Sequence, residues 1–298
     1  MIAKLRVAIF MVSLAFAFSA AAQTTTGNKT PVEPKQETSM GESNQGAIGS
    51  SVEKYLRNVY AWGPAYDVKI GTIKPSPIPD LLEVPVTISM GGQSDNAVVY
   101  ATKDGKFLVR GELDDLSVDP FADIRSKLHP GNSPSIGPEN AKITIIEFAD
   151  FECPSCRELD RILRDFMPSH PEIRLVYKHF PLTEIHPWAM TAAIASQCTY
   201  QQAPSKFWKI HDEIFDAQDL ITPSNVWDKM MDLAAQLALN MNTFRGCMAS
   251  TETAHQVEQT MEEGRALEIT GTPTTFVNTR RIVGPDKALL DQYTEFEK

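Results

Sequence analysis

Cysteine is scarce in this chain: four in 298 residues, all in the second half, at Cys153, Cys156, Cys198 and Cys247. Four are too few for a disulfide scaffold in a chain this long. They also fit a zinc knuckle poorly, because only Cys153 and Cys156 have CxxC spacing and zinc wants four ligands. Positive charge is short as well. Lys and Arg number 28 against 38 Asp and Glu, for a net charge of −10. Without a basic stripe the chain offers no electrostatic footprint for a nucleic acid. Beyond the N-terminus no segment is long and apolar enough to span a membrane. The histidines show no metal spacing, and His211 and His255 stand alone. There are no internal repeats.

What is present begins with a leader. Lys4 and Arg6 precede the apolar run Val7 to Phe18, and Ser19-Ala20-Ala21-Ala22 follows. This predicts a signal peptide over residues 1–22, cut after Ala22, and a periplasmic or otherwise exported protein. The alternative is an uncleaved anchor, for which the run is shorter than the ~20 residues a spanning helix needs. Cleavage removes two positive charges and takes the net charge from −10 to −12. Residues 23–49, rich in Thr, Ser, Gln, Gly and Glu, read as a flexible tether.

Residues 50–128 read as a small α+β domain. Val52, Tyr55, Leu56, Val59 and Tyr60 recur at helical spacing, with Ser50 as N-cap or as the last tether residue. Leu82, Val84, Val86, Ile88 and Met90 alternate as in a strand. Val98-Val99-Tyr100 and Phe107-Leu108-Val109 flank an Asp104-Gly105 hairpin signal. A short helix, about 120–128, leads into a Pro- and Gly-rich linker over 129–141.

Residues 142–298 carry the chemistry. Cys153-Pro154-Ser155-Cys156 joins the apolar run Ile143 to Phe148 to a helical pattern beginning at Arg157. That junction puts the first sulfur at a helix N-terminus, where unpaired N–H groups and the helix dipole favour a thiolate. Pro154 falls in the first turn, where a missing N–H costs nothing. The motif reads as a thiol–disulfide redox site with Cys153 as nucleophile and Cys156 as resolving thiol. Glu147 stands inside the apolar strand. Buried, it would exchange a proton with Cys156; the alternative is a solvent-facing strand residue. Lys178 on the next strand would pair with it or simply be solvated. A helical block runs over about 187–268, followed by a strand, a tight turn, an antiparallel strand and a last helix.

This part of the chain resembles the thioredoxin superfamily, and closely its DsbA-like branch. The carriers are Glu147 to Cys156, Phe180-Pro181-Leu182, His186-Pro187, Phe207-Trp208 and Gly271-Thr272-Pro273-Thr274, within about 138–297. The resemblance implies an α/β thioredoxin-like fold with a helical insertion, and an oxidoreductase with no cofactor beyond its cysteine pair. It further implies a cis Thr272–Pro273 bond beside the CxxC, which leaves a backbone edge for an extended substrate. It also implies a second, non-catalytic disulfide between Cys198 and Cys247; the alternative is two buried free thiols. In strongly oxidising relatives a His often stands where this chain has Ser155, so a less oxidising potential is expected. The segment Tyr100 to Leu113 resembles the hairpin of the DsbC- and DsbG-like dimerisation domain, which implies a homodimer through 50–128. The expected partners are unfolded or disulfide-bonded exported proteins and a membrane redox partner, either a quinone-linked oxidase or a thiol-reducing relay. Two other readings stand: a dimeric isomerase or reductase kept reduced, and a chaperone-like binding module with an incidental CxxC.

Overall fold

The computed structural model describes residues 42–298. The expected signal peptide, and the tether up to residue 41, lie outside the described residues. Among the described residues no helix is long and apolar enough to cross a membrane. The chain divides into two compact units, the second beginning at Asp115.

The first unit opens with helix α1, Glu42–Val59. It starts inside the stretch read as tether, so the expected boundary at 49/50 moves toward the N-terminus and Ser50 is interior to the helix. The reason is Ile48, which is buried and continues the stripe of Val52 and Leu56 one turn back. Gly49, which made the stretch look flexible, lets the helix approach β1: a Cβ there would stand 3.3 Å from Ile70. Five strands follow: β1 (Asp67–Ile70), β2 (Lys74–Pro75), β3 (Leu81–Met90), β4 (Gln93–Thr102) and β5 (Leu108–Val109). They form an antiparallel sheet in the order β1-β3-β4-β5, with β2 also on β3. The alternation in β3 places Leu82, Val84 and Val86 in the core with Val52 and Leu56. The β3–β4 hairpin turns on Gly91 and Gly92, both at positive φ, as a two-residue turn of the I′ kind requires.

The second unit contains α2 (Ala122–Lys127), β6 (Ser135–Ile136), β7 (Thr144–Ala149), α3 (Pro154–Phe166) and β8 (Arg174–His179). Five helices follow: α4 (Ala189–Gln202), α5 (Phe207–Asp216), α6 (Val226–Gln236), α7 (Met241–Met248) and α8 (Thr251–Ala266). The chain closes with β9 (Thr274–Val277), β10 (Arg280–Val283) and α9 (Lys287–Glu297). The sheet order is β10-β9-β7-β8-β6, with β7 and β8 parallel and the rest antiparallel. Two expected boundaries shift here. The helix expected to end the first domain belongs to the second unit, because Ile124 and Leu128 pack with Ile146, Phe148 and Phe276. The supposed linker 129–141 supplies edge strand β6.

Strands β7 and β8 are buried on both faces, which is why they read as continuous apolar runs rather than alternating ones. Helix α3 turns Cys156, Leu159, Asp160, Leu163 and Phe166 inward at helical spacing. Asp160 is an acid within that buried stripe.

Candidate active site

Strand β7 runs out into Asp150, Phe151 and Glu152, and α3 starts at once. Cys153 is the N-cap residue, with extended backbone, and Pro154 occupies the first turn. The chain reverses here without an N–H wasted at Pro154. Both thiols are free and buried, Cys156 completely. The Thr272–Pro273 peptide is cis. Its loop lies against the nucleophile, with the Cys153 thiol directed at the Thr272 carbonyl oxygen, Sγ to O 3.4 Å. The Asp150 backbone N–H donates to Cys156 Sγ at 3.4 Å.

The two thiols differ sharply in acidity. Cys153 is lowered from 9.0 to about 5. The main cause is the hydrogen bond from the Cys156 thiol, helped by the Thr272 side chain and by the N–H groups of Cys156 and Ser155 at the helix start. Cys156 is pushed well above its usual value, first by burial and then by its bond to Cys153. Glu147, in the middle of β7, is 1% exposed, and neither carboxylate oxygen has a hydrogen-bond partner. Burial, with the Asp160 charge added, raises it from 4.5 to about 8. Its charge in turn helps raise Cys156. At neutral pH the arrangement holds one ionised sulfur, one protonated sulfur and one carboxyl poised to take or give a proton.

The structure brings Cys153, Cys156, Thr272, Pro273 and Glu147 together. Lys178 does not join them. In the β7–β8 register Glu147 lies opposite Tyr177, and Lys178 opposite Phe148, so strand alternation sends Lys178 to the other face. There Lys178 pairs with Glu263 of α8. Helix α8 lies close to this face at Gly264, where a Cβ would stand 2.5 Å from the Phe180 ring. Cys198 of α4 and Cys247 of α7 form a disulfide, with Cα atoms 5.8 Å apart.

Around the motif, Gln218 carries no motif signal of its own, and Asp150 and Glu152 read only as part of the stretch leading into the CxxC. Gln218, in a short 3-10 turn of the helical insertion, donates from Nε2 to the carbonyls of Phe151 and Cys153, at 2.7 and 3.1 Å. It fixes the CxxC turn from a position 62 residues of sequence would not advertise; a buried amide after Asp216-Ala217 gives no periodicity to read. Asp150 is buried and accepts from the N–H groups of Leu182 (2.8 Å) and Glu152 (2.7 Å), and its Oδ2 lies 2.7 Å from His186 Nδ1. Glu152 accepts from the Trp188 N–H at 2.6 Å. These bonds tie the approach to Cys153 to the start of α4 through His186 and Trp188.

A family model described as Thioredoxin matches residues 130–293, and one described as Disulfide bond isomerase protein N-terminal domain matches residues 41–120. Among curated proteins, the Na(+)/H(+) antiporter NhaA 3 of Salinispora tropica is 33% identical over 163 residues, 55% of this chain and 24% of that protein. The antiporter NhaA of Herminiimonas arsenicoxydans is 30% identical over 168 residues, 55% of this chain and 26% of that protein. The chain thus spans about a quarter of the length of these curated relatives. Among solved structures, the thiol-disulfide exchange protein alpha-DsbA2 of Wolbachia pipientis superposes with a TM-score of 0.51 at 16% identity, covering 59% of this chain and 93% of its own. BdbD of Bacillus subtilis superposes at 0.50 and 24% identity, covering 57% and 94%. At these identities the likeness speaks for the fold. With the first family model spanning more than half of the sequence, the chain belongs to the thioredoxin family, and the region ahead of its thioredoxin-like unit matches the isomerase N-terminal domain model.

Proposed function

We propose that this protein is an exported thiol:disulfide oxidoreductase that exchanges disulfides with client proteins through Cys153 and Cys156. The observation that carries the reading is the split acidity of the two thiols at the start of α3, beside the Thr272–Pro273 loop. In the oxidising direction, a client thiolate attacks the Cys153–Cys156 disulfide at Cys153. A client–Cys153 bond forms, and Cys156 leaves as a thiolate that takes a proton from Glu147. A second client thiolate attacks the client sulfur of the mixed disulfide and closes the client's own bond, with Cys153 leaving as its stable thiolate. Reduction runs the same steps backward, with Cys156 giving its proton to ionised Glu147 and resolving the mixed disulfide. The client's extended backbone docks along the Thr272–Pro273 loop. The cysteine pair is the only redox group required, and a membrane partner resets it.

The match of residues 41–120 to the isomerase N-terminal domain favours a second reading, a dimeric isomerase or reductase kept reduced. In support, β5 is an edge strand, and Tyr60, Phe107 and Val109 are exposed in the first unit. Equilibration in graded glutathione buffers, followed by thiol alkylation and mass spectrometry, tests both. A pair that exchanges with glutathione at a potential near ~−120 mV marks a disulfide donor, and one near or below ~−200 mV marks the reduced working form. Because Ser155 brings no charge to the thiolate, the expected value lies below ~−120 mV. A pair that never exchanges with glutathione would leave the CxxC incidental, as in a binding module.

A further inference from the structure

A row of buried polar groups extends from Glu147, and the exchange steps at the sulfurs do not use it. Tyr177 stands beside Glu147 in the parallel β7–β8 register and therefore on the same face. It is fully buried, and its hydroxyl has no hydrogen-bond partner. The imidazole of His211, from α5, meets the Tyr177 ring edge-on with centroids 4.8 Å apart. His211 is 3% exposed and its Nε2 is also unpartnered, while Nδ1 lies 3.0 Å from Asp212 Oδ1 and 3.7 Å from Asp160 Oδ1. The Asp212 side chain is 35% exposed, so the row ends at solvent. Buried polar atoms are almost always paired, and a hydroxyl and an imidazole left open in one row are what a bridging water would satisfy. Both groups can accept one proton while donating another. Phe151 and Phe215 pack against the His211 ring, so bulk water does not flank the row.

We propose that Tyr177 and His211 form the outer half of a proton path that connects Glu147 with solvent at Asp212. The proposal rests on the reading of Glu147 as the proton partner of Cys156. When Glu147 has taken the Cys156 proton, a proton moves on by way of intervening water to the Tyr177 hydroxyl, as that hydroxyl gives its own through water to His211 Nε2. His211 then releases the Nδ1 proton to water at Asp212. The reverse sequence reloads Glu147 when Cys156 leaves as a thiolate. No electron moves along the path; it carries only the proton that the sulfur exchange liberates or consumes. The charged groups facing it are few. His179 of β8, its ring 5.2 Å from Tyr177, is driven down to about 3 by burial and stays neutral. On α3, Asp160 is held by Arg164 at 2.6 Å, and Arg164 also binds Asp216 of α5 at 3.1 Å. The Arg164 guanidinium bonds both carboxylate oxygens of Asp160, with Nε to Oδ1 at 3.1 Å, and so holds that charge in place beside His211.

The test is single-turnover resolution of a glutathione mixed disulfide at Cys153 in the full-length protein, followed by acid quench and mass spectrometry in H2O and D2O from pH 5 to 8. Tyr177→Phe removes only the hydroxyl, and His211→Phe keeps an aromatic ring in place. Each is expected to slow resolution at least ~10-fold, a loss typical of a missing proton-transfer group, with the pair's potential unchanged. In His211→Ala, which leaves room for it, added imidazole should restore part of the rate. If both variants fold, as judged by circular dichroism and urea melts, and resolve at the parent rate with the parent isotope effect, the path is wrong. Glu147→Gln separates the two claims. If it slows resolution while Tyr177→Phe and His211→Phe do not, only the path fails. If it too leaves the rate unchanged, the reading of Glu147 fails first.

Discussion

Glu147 weakens the fold that houses it, and the weakness has a pH signature. Its carboxyl titrates at about 8 in the folded chain against 4.5 when free of its surroundings. Between those values the unfolded chain has lost this proton and the folded chain still holds it. The unfolded state binds fewer protons, so stability falls as pH rises, by 1.36 kcal/mol per unit at most. At pH 7 the accumulated cost is about 3 kcal/mol. Glu147→Leu abolishes it, placing an apolar side chain of similar size in a site with no hydrogen bond to lose. The variant's advantage over the parent should be small at pH 4.5, grow to about 3 kcal/mol at pH 7, and level off above pH 8. Urea unfolding of the oxidised proteins measures it cleanly, because the two site thiols do not titrate in that form. His179 is common to both proteins and cancels. A gap independent of pH, or one that widens as pH falls, would refute a buried, unpartnered carboxyl at this position. The same variant should lose rate in mixed-disulfide resolution, a stability gain at the expense of function.

Other outcomes follow from the site. Thiolate absorbance of the reduced protein should titrate with a midpoint near 5, and Cys156→Ala should move it upward, because the Cys156 thiol is the main cause of the lowering. The folded value lies below the unfolded 9.0, so this thiolate stabilises the reduced form fully above pH 9 and progressively less as pH falls toward 5; urea melts of reduced parent and Cys153→Ser should diverge in that direction. Replacing both Cys198 and Cys247 by Ala opens a link across 49 residues and should cost about 4 kcal/mol in a urea melt, while leaving the Cys153 midpoint in place. Gln218→Ala removes two bonds to the CxxC turn and should cost about 1–3 kcal/mol, with faster amide exchange at Phe151 to Cys153 by mass spectrometry.

Much of the site was legible because its chemistry is local. A CxxC at a strand-to-helix junction, and an acid within an apolar run, announce themselves in a few neighbouring residues. The packing of Cys153 against Thr272 was reachable only through the family resemblance, since 119 residues separate them. What escaped was set by strand register and by tertiary contact. Lys178 looked like a partner for Glu147 because both sit mid-strand, and a one-residue offset in register sends it to Glu263 instead. Asp160 drew no reading from sequence, and it is part of the buried stripe of α3. Gln218 acts through bonds to backbone groups, and Asp150 through backbone N–H groups and His186, 36 residues away; neither leaves a pattern in sequence. In the first unit, glycine and polar residues around Ile48 resembled a tether until the sheet they pack on was in view.

The central claim is that Cys153 attacks and Cys156 resolves, and trapping measures it most directly. A Cys156→Ala variant of the full chain should accumulate covalent client adducts, visible on non-reducing gels and released by a thiol reductant. The double variant Cys153→Ala/Cys156→Ala should show none. Failure of Cys156→Ala to trap any client, or adducts that persist without Cys153, would contradict the account.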